Sequence, residues 1–195
     1  MEEKASYINE LLILLSTNVP LTPKFERALT KSLEFQAVKA KKEVPNFSKD
    51  NRYAWYSVDC WIAEYRNLQN GKQEVYAIYG PKHIFTDINS FLKNTTSNHK
   101  FIVISGTSLL SIARTNFHQL RKFPETPLLL EHYMLKQWEL DLWRSELMTY
   151  SDREKVNHYA QKYPINLLPN NISASFLRMT PSRFSAARAT YNRTN

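Results

Sequence analysis

From Pro127 to Leu147 the chain carries a helical pattern that is apolar over more than one face. Leu129, Tyr133, Leu140, Trp143 and Leu147 form one stripe; Leu130, Met134 and Trp138 form a second beside it. A helix of this kind cannot lie on a small domain with only one side covered. One stripe must pack on the chain's own body. The other needs either more of the same core or a helix from a second copy, and the pattern admits both.

The body comes first in the chain. Residues 5–17 read as a short helix with Ile8, Leu11, Leu12 and Leu15 on one side. Pro20-Leu-Thr-Pro breaks it, and Thr22 caps a second helix that starts at Pro23 and carries Phe25, Leu29 and Leu33. Lys39, Lys41 and Lys42 read as a solvated loop flank. From Tyr53 to Arg66 the residues are aromatic and β-branched, as a strand requires. Asn70-Gly71 suits the positive φ values of a type I′ hairpin turn, Gln73 to Tyr79 is the returning strand, and Gly80-Pro81 turns the chain. Phe101 to Ile104 and Leu109 to Ala113 are further strands around a Gly106-Thr107 turn. Strands at this spacing predict a small antiparallel sandwich or barrel. Thr115 is expected to cap a helix that Pro124 ends.

The long helix is followed by Ser151-Asp-Arg-Glu154, a capping box. It opens a helix with Val156, Tyr159, Ala160 and Tyr163, ended by Pro164. After a loop over residues 165–171, residues 172–188 read as a helix, a tight turn and a second helix. Leu177 closes the first, Met179 packs in the turn, Thr180 caps the second and Pro181 is its first residue. Phe184, Ala187 and Tyr191 fall on one buried face, and Ala174 is small where the helices cross. This is the pattern of a DNA-binding helix-turn-helix, and equally of an ordinary helical hairpin.

Charge bears on those two readings, with a merely solvated basic tail as the alternative to a bound partner. The chain of 195 residues has net charge +8, and after Lys155 it holds no Asp or Glu. Lys162, Arg178, Arg183, Arg188 and Arg193 lie in that stretch, which points to a polyanionic partner there. The single cysteine, Cys60, excludes a disulfide framework within the chain and a four-cysteine metal site, and reads as a buried filler. Five histidines show no ligand spacing. The apolar run Leu11 to Leu15 is too short for a signal or membrane segment, so the expected location is cytoplasmic with no membrane partner. No nucleophile–base pair, carboxylate pair or glycine-rich phosphate loop stands at catalytic spacing, so no enzyme and no cofactor is expected.

Two helices, a β-rich body, a long aromatic helix and a capped helix before a helix-turn-helix form an order that resembles the Crp/Fnr superfamily of transcription regulators. The resemblance rests on Asn70-Gly71-Lys72-Gln-Glu74, Ser90-Phe91-Leu92, Ser151-Asp-Arg-Glu154 and Phe176-Leu-Arg-Met-Thr-Pro-Ser-Arg-Phe-Ser185. It is closest to the short members that end soon after the recognition helix. It implies an α+β fold: an antiparallel β-roll like a cyclic-nucleotide-binding domain (residues 1–125), a long dimerisation helix (126–149) and a helical helix-turn-helix domain (150–195). It implies double-stranded DNA and a second copy of the chain as partners, with RNA polymerase as a third. The dimer contacts are then expected at Leu130, Tyr133, Met134, Trp138, Leu140 and Trp143. The DNA contacts are expected at Arg178, Thr180, Ser182, Arg183, Ser185, Ala186 and Arg188, with Arg183 and Arg188 on the phosphates.

The chain departs from the family in two places. Members that bind cyclic nucleotides carry a Gly-Glu pair and a downstream Arg for the phosphate. Here the stretch is Phe85-Thr86-Asp87, the Arg position falls near Thr96, and no arginine lies between Arg66 and Arg114. Lys93 and Lys100 are point charges and do not replace a bidentate clamp. The expectation is a sensor that does not take cyclic AMP, responding to another small molecule or to no effector at all, with Asp87 as a turn or surface residue. On the recognition helix, Ser182 and Ala186 replace the family's usual glutamate and base-reading arginine. Two readings follow: a regulator of altered preference, or an interaction protein of the same fold with no DNA role.

Overall fold

The structure, a computed structural model, describes residues 2–44, 52–69, 71–97 and 99–194. Helices α1 (Glu2–Ser16) and α2 (Pro23–Ser32) lead into the strands β1 (Leu33–Ala37), β2 (Tyr53–Ser57), β3 (Trp61–Asn67), β4 (Gln73–Tyr79) and β5 (Ile84–Phe85). A short helix α3 (Ile88–Lys93) precedes β6 (His99–Ser105) and β7 (Ser108–Ala113). Then come α4 (Arg114–Leu120), α5 (Glu125–Leu147), α6 (Asp152–Lys162), α7 (Asn170–Phe176) and α8 (Pro181–Thr194). One sheet has the order β1-β7-β2-β5 and the other β4-β3-β6, with antiparallel pairing throughout. The fold is α+β, as the sequence implied.

Three corrections to the sequence reading are local. The run Tyr53–Arg66 is two strands in two different sheets. The corner between them holds together without glycine: the Ser57 hydroxyl donates to the Cys60 carbonyl at 2.6 Å and accepts from its N–H at 3.0 Å. Leu33 begins β1 rather than ending α2. Thr115 caps nothing; the N-cap of α4 is Ala113, with no side-chain hydrogen bond. The β3–β4 hairpin forms where expected, with Gly71 at φ 76°, while Asn70 lies outside the described residues. Thr22 does cap α2, its hydroxyl accepting from Phe25 N–H at 3.3 Å.

Each sheet carries buried side chains on both faces, although β1 is largely exposed beyond Leu33. Trp55, Ile62, Phe85, Phe101, Val103 and Leu109 fill the space between the sheets. Their strand neighbours point the other way. Tyr56 and Leu110 pack under α1, α2 and α4 with Leu11, Phe25 and Leu29. Ala63, Val75 and Ile78 pack under the carboxyl-terminal helices with Tyr159, Ile172, Phe176 and Phe184. Those last helices therefore share one core with a sheet.

The turn before β7 explains one of the three glycines. Gly106 sits at φ +93°, and a Cβ there would lie 2.5 Å from Cys60 Cα and 2.7 Å from the Asp59 carbonyl oxygen. The Asp59 carboxylate caps the same turn, accepting from the N–H of Thr107 at 3.0 Å and of Ser108 at 2.8 Å. Cys60 beneath it is fully buried, and burial, with the adjoining Asp59 carboxylate, pushes its thiol up to about 12. It is a packed, unreactive residue.

Candidate nucleic-acid interface and sensor pocket

Residues 170–194 form two short helices joined by a tight turn. Leu177 is the C-cap of α7, and the turn closes through Arg178 N–H to Ser175 O at 3.1 Å and Met179 N–H to Ala174 O at 2.9 Å. Arg178 adopts φ 54°, the conformation that a glycine would take there without cost. The Thr180 hydroxyl accepts from Arg183 N–H at 3.3 Å, and Pro181 opens α8. The inner face is held by an aromatic set: Tyr159 meets Tyr163, Phe176 and Phe184 with ring centroids 4.9, 5.7 and 6.4 Å away. The Tyr159 hydroxyl shares a hydrogen bond with Ser173 Oγ at 2.9 Å.

The outer face of α8 carries Ser182, Ser185, Ala186 and Ala189, all exposed. Arg193 falls on the same line at helical spacing and is also exposed. It was absent from the sequence-derived site, although its spacing from Ser182 was readable. The other arginines have partners. Arg183 makes a fork to Asp152 on α6, with N–O distances of 2.7 and 2.6 Å. Arg178 makes a fork to Glu74 on β4 at 3.2 and 3.1 Å. Arg188 donates to the side-chain carbonyl of Asn170, a neutral partner, so it keeps its charge uncompensated there.

Glu74 and its neighbour tie the helix-turn-helix to the β-roll. Val75 N–H donates to Ser175 Oγ at 2.9 Å. Arg144, near the end of α5 and buried, donates to Val75 O at 3.1 Å and to Phe176 O at 3.5 Å, with Glu74 3.9 Å away. Its guanidinium also lies 4.9 Å from the Tyr76 ring centroid and 5.2 Å from that of Phe176. The last turn of α5, the edge of the sheet and the end of α7 meet on one cation.

The long helix presents a different side to solvent from the one the two stripes suggested. Trp143 packs against Tyr163 and Phe176, Tyr133 and Leu130 line a cavity of the chain's own body, and Leu140 is half-buried. Met134 and Trp138 are exposed, and Leu128, Leu135 and Leu142 join them, each about half exposed. Leu128, Leu135 and Leu142 recur every seventh residue with Trp138 between the last two, the spacing that a coiled-coil seam would need.

The pocket at the mouth of the roll is small and acidic. Its volume is about 80 Å³, and Glu64, Asp87 and Asp141 line it. Glu64 is buried. It accepts from the Tyr79 hydroxyl at 2.7 Å, and His99 Nδ1 lies 2.6 Å from it. Burial, reinforced by the Glu64 charge, holds the Tyr79 phenol well above its usual range. Arg66 pairs with Glu64 at 3.5 Å and stacks its guanidinium on Tyr76. Asp87 is not the turn or surface residue expected. It is a buried helix cap, accepting from Ser90 N–H at 3.2 Å and from Ser97 Oγ at 2.6 Å. Ile88 and Phe91 pull α3 onto the body, and its cap goes in with it. Thr96, near which the resemblance placed the missing arginine, is exposed. Among the described residues no cluster of His, Cys, Asp and Glu is arranged to hold a metal ion, and no helix is long and apolar enough to cross a membrane.

No protein-family model and no curated protein matches the sequence. Solved structures do match the fold. FixK2 from Bradyrhizobium japonicum superposes with a TM-score of 0.67 at 12% identity, over 83% of this chain and 85% of that one. A protein from Eubacterium rectale assigned to the Crp/Fnr family of transcriptional regulators gives 0.67 at 10% identity, over 89% and 85%. The fold is that of the Crp/Fnr regulators. The catabolite activator protein of Thermus thermophilus is similar over 92% of this chain and 87% of its own, with a TM-score of 0.53 at 16% identity. The likeness covers most of this chain in each case.

Proposed function

We propose that this chain is a DNA-binding transcriptional regulator that acts as a homodimer and does not take cyclic AMP. The observation that carries the reading is the exposed face of α8. Ser182, Ser185, Ala186 and Ala189 are small enough for close approach to a major groove, and Arg193 and Arg188 supply charge along it. Base reading by serine hydroxyls, thymine methyl contacts or DNA shape replaces the arginine-to-guanine contact, worth roughly 1–3 kcal/mol of discrimination. The second copy packs along Leu128, Leu135, Trp138 and Leu142, with Met134 beside them.

The test is binding to random-sequence and selected duplexes as a function of salt. Replacing both Arg188 and Arg193 by Ala is expected to weaken binding about uniformly across sequences. It also flattens the log–log salt slope by roughly one unit for each phosphate that is no longer neutralised. No affinity at low salt, or an unchanged slope in the double variant, overturns the DNA reading. A scaffold protein without a DNA role is the second reading. The ion pairs of Arg178 with Glu74 and Arg183 with Asp152 favour it, because they engage two cations that duplex binding would otherwise use.

For the sensor, the pocket of about 80 Å³ compares with roughly 300 Å³ or more for ordinary small-molecule sites. Its carboxylates repel a phosphate, and its arginine is already paired and stacked. Calorimetry with cyclic AMP is expected to show no saturable heat at micromolar ligand; a micromolar dissociation constant would overturn this.

A further inference from the structure

An apolar cavity lies outside the roll, beneath the amino-terminal helices. It occupies about 140 Å³ between the outer face of the β1-β7-β2-β5 sheet and α1, α2, α4 and the start of α5. Leu15, Phe25, Leu110, Phe117, Leu129 and Tyr133 are among its walls. A dry cavity of about 150 Å³ lined by such residues holds one benzene ring.

Few polar groups reach it, and most are occupied or turned away: Trp55 Nε1 has no partner, but its ring packs between the sheets, stacked on Phe85 with centroids 6.5 Å apart. Thr86 Oγ1 donates to Tyr53 O at 2.9 Å, and Thr126 Oγ1 donates to Leu120 O at 2.6 Å. The Tyr133 phenol interacts with the Thr86 backbone. Tyr56 differs. It is 2% exposed, it lines the cavity, and its hydroxyl has no hydrogen-bond partner. A buried donor left unmade is costly, so a group that satisfies it gains that cost back. The charge near it is negative: Glu10, which pairs with Lys82 at 3.3 Å, acts on the Tyr56 phenol, and a bound anion would face it.

We infer that this cavity is a binding site for a neutral, monocyclic aromatic-sized molecule bearing one hydrogen-bond acceptor, which the Tyr56 hydroxyl fixes. The walls supply apolar burial, and the phenol supplies the single polar contact that orients the ligand. Leu129, Leu130 and Tyr133 bring the site against the first turns of α5. Glu125 ties those turns to α2 by accepting from the Thr22 hydroxyl at 2.6 Å and the Thr22 N–H at 3.0 Å.

Titration calorimetry on the full chain tests this with three probes of similar size: acetophenone, ethylbenzene and benzoate. Acetophenone is expected to bind saturably and to raise the melting temperature. Ethylbenzene, which lacks the acceptor, binds about fivefold more weakly, and benzoate does not bind. Tyr56→Phe removes the difference between the first two while leaving ethylbenzene affinity within about twofold, and retained ethylbenzene binding shows that the variant is folded. A bulky Ile84→Trp change at the partly exposed wall abolishes binding of both. Absence of saturable binding of acetophenone and ethylbenzene to the unaltered chain overturns the site. An unchanged acetophenone preference in Tyr56→Phe overturns the role of the phenol. Both are read on the protein alone, so they stand or fall apart from duplex binding.

Discussion

A chain with Leu135→Glu and Trp138→Glu is expected to be monomeric at concentrations where the unaltered chain is a dimer, with a dimer dissociation constant raised at least ~100-fold. Both side chains are about half exposed in the single chain, 51% and 60%, so charge there costs the protomer little. In a two-fold seam each substitution counts twice, and four carboxylates enter an apolar strip. Hot-spot truncations cost about 2 kcal/mol or more each, and burying unpaired charge costs more. Sedimentation equilibrium reads the association and circular dichroism the retained fold. Duplex affinity falls with the dimer, because one half-site alone supplies half the phosphate contacts. A variant that remains dimeric, or an unaltered chain that is monomeric at tens of micromolar, removes α5 as the dimer element.

Arg144→Met has the larger consequence within one chain. The substitution roughly conserves volume and leaves Val75 O and Phe176 O without their donor and Glu74 with only Arg178. Removing one partner of a buried, hydrogen-bonded charge costs about 3–5 kcal/mol; with Glu74 partly solvated and still paired, the lower end applies. Hydrogen exchange locates the loss. Amides of β4 and α7 are expected to exchange faster, while those of β2 and β7 on the far sheet keep their protection. A uniform change across both sheets would contradict the assignment of Arg144 to this junction.

Much of this architecture was legible wherever the determinant is local. Ser151 and Glu154 form their reciprocal box, the Ser151 N–H donating to Glu154 Oε2 at 3.0 Å. Thr180 and Pro181 start α8, and Gly71 turns the hairpin. The misses have local causes too. Leu33 satisfies a helical spacing from Leu29, and that spacing hid the alternation of Leu-Glu-Phe-Gln-Ala in β1. Two residues of β5 carry no period at all. The corner at Ser57–Cys60 lacks glycine and proline because a hydroxyl makes the turn bonds. Strand β7 shows no apolar–polar alternation because it is buried on both faces, a pattern usual for parallel sheets.

The site was less legible, because its electrostatics are made by residues distant in sequence. Arg178 meets Glu74 from 104 positions away, and Arg183 meets Asp152 from 31. No spacing rule anticipates either pair. The sequence showed an arginine-rich end; only the folded chain shows that Arg178 and Arg183 are held by carboxylates while Arg188 and Arg193 face outward with theirs uncompensated.

Val75 has one more consequence. It lies on β4, the outermost strand of the three-stranded sheet, where unpaired amides and carbonyls invite a second chain to add itself. Its N–H is given to Ser175 and its carbonyl to Arg144, and α7 covers the strand. The helix-turn-helix is thus also a guard against self-templating. A roll stripped of its carboxyl-terminal helices would bare an apolar sheet rim, so these helices also shield the roll from edge-to-edge association.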